Sequence, residues 1–177
     1  MSSKIDIRKI ISNHINSMVY VNGKRNIYDF VTFFVFPIVC AIFFCVRNWK
    51  LTNDVIGIFI NLGSIFTALL LSVLVMIYDQ YQKITNEMKQ MKNSSDRVYQ
   101  DKLSRTKDLI KELFANISYA VIVSVILVFS SLSYQILGSE HFFSKWVFMP
   151  LCVFLVGNLL LTVLMIIKRT YNLISNG

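Results

Sequence analysis

Uncharged polar side chains recur at helical spacing inside long apolar segments of this sequence, and their types and positions could do chemistry. One set, spaced by three, seven and eleven residues from its first member, falls on one face of a helix and comprises Asn61, Ser64, Ala68 and Ser72. Two further sets comprise Asn116, Ala120, Ser124, Ser131 and Gln135, and Asn158, Thr162 and Arg169. Such side chains wet a pore without holding an ion tightly, and they also let neighbouring helices approach and hydrogen-bond.

Pore lining and helix packing can each explain such a set, and both can hold on different faces of one bundle. Packing is the common use of small and hydroxyl residues at helix contacts. An aqueous axis, however, needs at least one wettable face. We therefore predict that a helix carrying one of the first two sets lines an ion-conducting axis. The predicted lining residues are Asn61, Ser64, Ser72, Ser124, Ser131 and Gln135.

Four apolar runs contain no Asp, Glu, Lys or Arg and cover residues 30–46, 55–77, 113–137 and 146–167. The last three runs carry the polar sets, with Arg169 just beyond the end of the fourth run. A helix needs about 20 residues to cross a hydrocarbon layer of about 30 Å. The uniformly apolar runs exclude the alternating pattern of barrel strands. The sequence therefore predicts an all-α, polytopic membrane protein. We expect four transmembrane helices at 27–46, 55–78, 113–137 and 146–168.

Catalytic and coupled-transport chemistry find little support in the sequence. Ion-coupled transporters place carboxylates or histidines near the bilayer midplane, and the four runs offer none there. No HExxH, CxxC, GxSxG or phosphate-binding glycine loop occurs. Cys40, Cys45 and Cys152 fall within apolar runs, where a thiol behaves as a small hydrophobic group. We predict no catalytic centre, no metal site and no cofactor, and we do not expect an enzyme.

Basic residues divide unequally among the segments that join the runs. Fifteen of the eighteen Lys and Arg fall before the first run, between the second and third, or after the fourth. The positive-inside rule then places both termini and residues 79–112 in the cytoplasm, with two short loops outside. We expect no cleaved signal peptide, because the basic N-terminal residues are not followed by a short apolar stretch with a cleavage site.

Residues 1–26 form a basic arm, with five basic residues against one acidic residue. Its apolar positions Ile7, Ile10 and Ile11 repeat at helical spacing together with His14, so we predict an amphipathic helix at the inner membrane interface. The whole chain carries a net charge of +8, most of which topology and anionic lipid explain. If the chain binds an anionic ligand, the expected contacts are Lys4, Arg8, Lys9, Lys24 and Arg25.

Residues 79–112 contain neither Pro nor Gly and show apolar residues at helical spacing. We predict that the second and third spans continue into the cytoplasm as a helical hairpin, which is interrupted only by the polar residues 93–96. After the fourth span we expect a short cytoplasmic tail at 169–177. A two-helix projection cannot bury an apolar stripe alone, so contacts between copies are expected through Met88, Met91, Val98 and Leu103. A single four-helix bundle packs solid, so conduction requires several copies around an axis, and we expect four or more.

Arg8 and His14 stand with five residues between them, a spacing that resembles the Arg-x4-6-His signature of HEPN ribonucleases. In that family the His and Arg act at the scissile phosphate, so the resemblance implies a membrane-tethered ribonuclease as an alternative. Lys9 stands where that family usually has Asn, Asp or His. The six-residue separation also places Arg8 and His14 about 120° apart on a helix.

The layout of a basic arm, two spans, a helical hairpin and two further spans resembles small membrane effectors of bacterial antiphage systems. The stretches that carry the resemblance are Tyr78-Asp79, which ends the second span, and Asn116-Ile117-Ser118-Tyr119, which opens the third. The chain resembles the channel-forming effector of the Hailong system more than the membrane accessory protein of type VI-B CRISPR loci.

This resemblance implies a homo-oligomeric channel in the bacterial inner membrane that a nucleotide or oligonucleotide signal gates from the cytoplasm. It also implies a partner protein from the same defence operon. A membrane assembly or immunity factor that conducts nothing is the alternative, and the sequence leaves the subunit number and the permeant ion open.

Overall fold

The computed structural model of this chain describes residues 7–21, 24–25, 31–47, 49, 51–90, 97–138 and 141–175. These residues are almost entirely helical, and the helices are α1 (Arg8–Val19), α2 (Phe36–Val46), α3 (Asn53–Gln90), α4 (Arg97–Leu137) and α5 (Met149–Ser175). π-helical turns at Val31–Val35 and Ser144–Phe148 lead into α2 and α5. A short antiparallel ribbon, which the sequence did not predict, pairs β1 (Tyr20–Val21) with β2 (Lys24–Arg25).

Three helical segments are long and apolar enough to span a membrane, in agreement with the predicted fold class: Asn53–Gln90, Val98–Leu137 and Ser144–Tyr171. The first predicted span is shorter. Val31–Val46 forms one apolar helical stretch, about 24 Å long at 1.5 Å per residue, against a hydrocarbon layer of about 30 Å. Positions 27–30 of that predicted span lie outside the described residues.

Both α3 and α4 continue well beyond their apolar segments, so helix is present on both sides of the predicted hairpin tip. The tip itself, with Met91 and residues 93–96, lies outside the described part of the chain. Of the side chains predicted to contact other copies, Val98 is 82% exposed and Met88 is half-buried. Leu103 is only 8% exposed because it packs inside this chain, so the prediction of an inter-subunit contact there is wrong.

The core lies along α4, which is the central helix. In the most apolar 18-residue stretch of each long helix, 56% of the residues are buried in α4, 33% in α5 and 11% in α3. The core residues without solvent exposure include Ile56, Ile117, Leu127, Cys152 and Leu159. The helix α3 therefore contacts the rest of the chain along one narrow face and leaves the remainder of its apolar surface uncovered.

Two glycines mark the closest helix contacts. A Cβ atom on Gly63 of α3 would meet Val128 Cγ2 at 2.7 Å and the Ser124 carbonyl oxygen at 3.0 Å, so only glycine fits there without a shift. A Cβ atom on Gly157 of α5 would lie 3.3 Å from the Cβ atom of Pro37 in α2. Glycine at such points lets helix backbones approach closely, as is typical of helix contacts in membranes.

Candidate functional site

The first predicted polar set lies on the uncovered side of α3. Its members are all exposed, and at 100° per residue they occupy a face about 80° wide; they are Asn61, Ser64, Ala68 and Ser72. The buried residues of the same helix, Ile56, Gly63 and Leu70, point to the opposite side, toward α4. We call the exposed set the polar face of α3, and it contacts nothing else in the described chain that would bury it.

A hydroxyl on this face can donate its hydrogen bond to a backbone carbonyl of the same helix, whereas an amide side chain is harder to accommodate in lipid. Ser72 Oγ donates a hydrogen bond to the Ala68 carbonyl oxygen at 3.1 Å. Asn61 carries a carboxamide with two donors and an acceptor, about 9 Å into the apolar segment at 1.5 Å per residue. Such a group costs free energy in hydrocarbon unless water or another polar group satisfies it. The face therefore favours contact with water or with another protein surface.

Two residues of the second predicted set face neighbours inside the chain. Ser124 and Ser131 have no solvent exposure. Ser124 Oγ lies 2.8 Å from Thr67 Oγ1 of α3 and donates to the Val121 carbonyl oxygen at 2.9 Å. Ser131 Oγ lies 3.6 Å from Cys152 Sγ of α5. Side chains enclosed by their own chain offer no surface to a lumen, so the prediction that these two serines line a pore is not supported by this packing.

Gln135, the last residue of that set, is exposed near the end of α4. Four of the six predicted lining residues are thus exposed, and three of them share the polar face of α3. The structure does not bring Gln135 onto that face, because it belongs to a different helix. The sequence pattern identified the polar faces correctly but did not indicate which of them other helices cover.

The third polar set is a buried packing network. Asn158 and Thr162 have no solvent exposure, and Thr162 Oγ1 donates to the Asn158 carbonyl oxygen at 2.8 Å. The Asn158 side chain accepts from Tyr119 Oη at 2.9 Å and donates through Nδ2 to the Phe33 carbonyl oxygen at 3.1 Å. The carbonyl of Phe33 stands four residues before Pro37, which has no N–H to donate to it. Asn158 therefore supplies a donor that the proline removes from the helix.

The arm reaches the same network through His14, which is fully buried on α1. Its Nδ1 lies 2.8 Å from Asn116 Oδ1, and its ring stacks on Tyr119 with centroids 3.7 Å apart and planes 13° apart. Burial lowers the pKa of His14 to about 4, with the hydrogen bond that His14 donates to Asn116 opposing the shift and the charge of Arg169 adding to it. The imidazole is therefore neutral at pH 7. The pairing of His14 with Tyr119 had no signal in the sequence.

Of the five residues predicted to bind an anionic ligand, the structure describes the side chains of two. Arg8 and Lys9 are exposed on α1, Lys24 and Arg25 form β2 with side chains that are not described, and Lys4 lies outside the described residues. Because the His14 imidazole has no exposed surface, the geometry gives no support to the ribonuclease alternative built on Arg8 and His14. Within the described part of the chain, no group of three or more His, Cys, Asp or Glu side chains is placed to hold a metal ion.

An ion pair joins α4 and α5 near this network. Arg169 Nη1 of α5 lies 2.9 Å from Glu112 Oε2 of α4, with both side chains partly exposed. Arg169 was the third member of its polar set, and the structure gives it a structural contact. The buried polar groups thus connect α1, α2, α4 and α5, while the polar face of α3 is left uncovered.

Comparisons with known proteins found no match to a protein-family model, a curated protein or a solved structure.

Proposed function

We propose that this protein is a homo-oligomeric membrane channel in which four or more copies surround an axis lined by α3. The observation that carries the proposal is the polar face of α3, which is exposed on the side of the helix opposite to α4. A face of this kind needs water or a polar partner in the membrane. One copy has no room for an aqueous lumen, because a single small bundle packs solid at its centre.

The surroundings of the polar face support this arrangement. Exposed apolar side chains flank it on α3, including Ile58 (58%), Ile65 (59%) and Leu69 (57%). Such residues can seal the contact between neighbouring copies while the polar side chains face the axis. The second predicted set supplies no competing lining face, because Ser124 and Ser131 are buried. We therefore assign the lining to Asn61, Ser64 and Ser72.

Carboxylates stand at both ends of the same face. Asp54 precedes Asn61 by seven residues and Asp79 follows Ser72 by seven residues, which is close to two helical turns in each case. Both residues are exposed. In a ring of copies each would form a circle of negative charge at one mouth, and rings of Asp or Glu favour cations. The proposed channel is therefore cation-selective.

The remaining features of the proposal rest on sequence patterns. The four apolar runs support four spans, and the distribution of basic residues supports both termini and residues 79–112 in the cytoplasm. The amphipathic pattern of α1 supports its place at the inner interface, and the layout resemblance supports a bacterial inner membrane. The layout resemblance supports a role as an antiphage effector that a nucleotide or nucleic-acid signal gates through the basic arm. Arg8 and Lys9, both exposed on α1, are the members of this basic set whose side chains the structure describes.

Single-channel recording in planar bilayers tests the proposal. The purified wild-type chain should conduct, and Ser64→Leu should abolish the current because a leucine at each copy would block and dewet the axis. Ser133→Leu, on α4 outside the polar face, is the matched control and should conduct normally. Gel filtration should give the same oligomer for all three proteins. A wild-type protein without conductance, or a Ser64→Leu protein with normal conductance, would refute the proposed lining.

A further inference from the structure

A cleft of about 440 Å³ lies between α1, α3 and α4. Lys9 of α1 and Lys111 of α4 contribute its positive charge, and Tyr78, Tyr81 and Phe114 contribute aromatic walls. No carboxylate is among the described side chains that line it. The cleft therefore combines two cations with an aromatic and apolar surface, which suits an anionic ligand that is partly apolar.

A third lysine adds to the charge beside the cleft. Lys107 Nζ lies 5.5 Å from the centre of the Tyr81 ring, one helical turn before Lys111 on α4. Lys111 Nζ also lies 3.3 Å from Asp108 Oδ1, but both side chains are more than half exposed. An exposed ion pair of this kind contributes little free energy. Lys111 can therefore contact a phosphate in place of Asp108, or together with it, at a small cost in free energy.

The position of the cleft along the helices decides the class of ligand. Tyr78 is the first residue after the apolar run 55–77, and Lys111 stands two residues before the run 113–137. The cleft thus crosses the level at which charged helix surface gives way to apolar surface. Tyrosine and lysine are the residues that proteins place at this level, with the lysine amine reaching toward the headgroups.

Beyond the cleft the same side of α4 is apolar and only partly covered. Val121 is half-buried, and Val125 and Phe129, which lie within about 60° of Phe114 around the helix, are 36% and 67% exposed. A ligand that fills the cleft and continues along this face must be apolar in its lower part. A nucleotide would satisfy the lysines but would leave this face to other molecules, whereas an acyl chain covers it.

We propose that this cleft binds an anionic phospholipid of the leaflet that faces α1, with its phosphate between Lys9 and Lys111 and an acyl chain along α4. The tyrosines flank the glycerol region at the boundary between the two. This site does not depend on whether the protein conducts, and it gives the exposed lysines of α1 and α4 a shared ligand.

Fluorescence quenching by brominated lipids in reconstituted vesicles tests the site directly. The reporter is Tyr78→Trp in a background with Trp49→Phe and Trp146→Phe, and quenching by brominated phosphatidylglycerol is compared with quenching by brominated phosphatidylcholine. Leu164→Trp in the same background is the matched reporter. Position 164 is exposed and apolar, and it lies near the end of the run 146–167, as Tyr78 lies at the end of the run 55–77. We expect phosphatidylglycerol to be preferred at position 78 and both lipids to bind equally at position 164.

Lysine variants of the reporter protein identify the contacts. Lys9→Gln and Lys111→Gln should each reduce the preference for phosphatidylglycerol at position 78 about fivefold, as expected for one cation beside an anionic headgroup. Lys168→Gln, which removes an exposed charge on α5, should leave the preference unchanged. Equal preference at positions 78 and 164, or an unchanged preference in both cleft variants, would overturn the site. Relief of the quenching by soluble glycerol phosphate or by a short oligonucleotide would overturn its assignment to a lipid.

Discussion

Asn158 Nδ2 of α5 donates a hydrogen bond to the carbonyl oxygen of Phe33 at 3.1 Å. Phe33 lies in the π-helical turn before α2, four residues ahead of Pro37, so the residue that would donate to this carbonyl in an α-helix has no N–H. The neighbouring Gly157 lets Pro37 approach to within 3.3 Å of a Cβ position. Two adjacent residues of α5 therefore accommodate the proline. Gly157 leaves room for its ring, and Asn158 donates to the carbonyl oxygen of Phe33.

This relationship predicts non-additive effects on stability. Asn158→Leu should lower the free energy of unfolding by about 1 to 3 kcal/mol in the wild type, because buried polar partners lose their hydrogen bonds. In a Pro37→Ala background the new backbone N–H can donate to Phe33, so the same change should cost about 1 kcal/mol less. Unfolding in mixed detergent micelles measures the cycle, with Tyr171→Phe, an exposed position, as the control. Strict additivity would show that the two residues act independently.

Docking of the arm should depend on pH through His14. Its pKa is about 4 in the docked protein against 6.5 for an exposed histidine, so the undocked arm takes up a proton first as the pH falls. Stability of docking is then complete above about pH 6.5 and is lost between there and pH 4, by about 2 kcal/mol at pH 5. Hydrogen exchange of the α1 amides should accelerate at pH 5 relative to pH 7.5. His14→Phe should remove this dependence, and a dependence that survives the change would assign it elsewhere.

The contact between α3 and α4 should be sensitive to one methyl group at Gly63. Gly63→Ala places a Cβ atom 2.7 Å from Val128 Cγ2 and 3.0 Å from a backbone oxygen, so the helices must separate. Overpacking of this kind typically costs about 1 to 3 kcal/mol. Gly57→Ala is the matched control, because nothing lies within 4 Å of its Cβ position. Thermal unfolding in detergent should separate the two variants, and equal midpoints would contradict the close approach.

Ion selectivity should follow the carboxylates at the ends of the polar face. Reversal potentials in a KCl gradient should show a cation preference for the wild type. Asp54→Asn and Asp79→Asn should each reduce it, because each removes one ring of charge. Asp108→Asn, which neutralises an exposed carboxylate of α4 that pairs with Lys111, should not. An anion-selective wild type, or a preference unchanged in both ring variants, would exclude these rings as the selectivity determinant.

The sequence predicted the helical class, the long helices and the polar faces because all three follow from hydrophobicity and a period of 3.6 residues. It did not predict which faces are covered. Ser64 of α3 and Ser124 of α4 belong to equally regular polar sets, yet one is exposed and the other has no exposure. The difference depends on which helices are neighbours, and periodicity along one helix carries no information about that.

The arm shows the same limit from another direction. His14 was predicted on the apolar side of an interfacial helix, and burial on that side agrees with the pattern. Its stacking on Tyr119 and its contact with Asn116 join residues more than 100 positions apart, and nothing in either segment indicates the other. The hydrogen bond from Asn158 to Phe33 depends on the packing of α5 beside the turn that leads into α2, which neither segment indicates.

Cysteine accessibility during recording tests the central claim, that the polar face of α3 lines the conducting axis. In a protein lacking Cys40, Cys45 and Cys152, single cysteines replace Ser64 on the polar face and Leu69 and Ile58 beside it. A water-soluble charged thiol reagent should block current through the Ser64→Cys protein and leave the Leu69→Cys and Ile58→Cys proteins conducting. Block at the flanking positions with no effect at Ser64 would contradict the account.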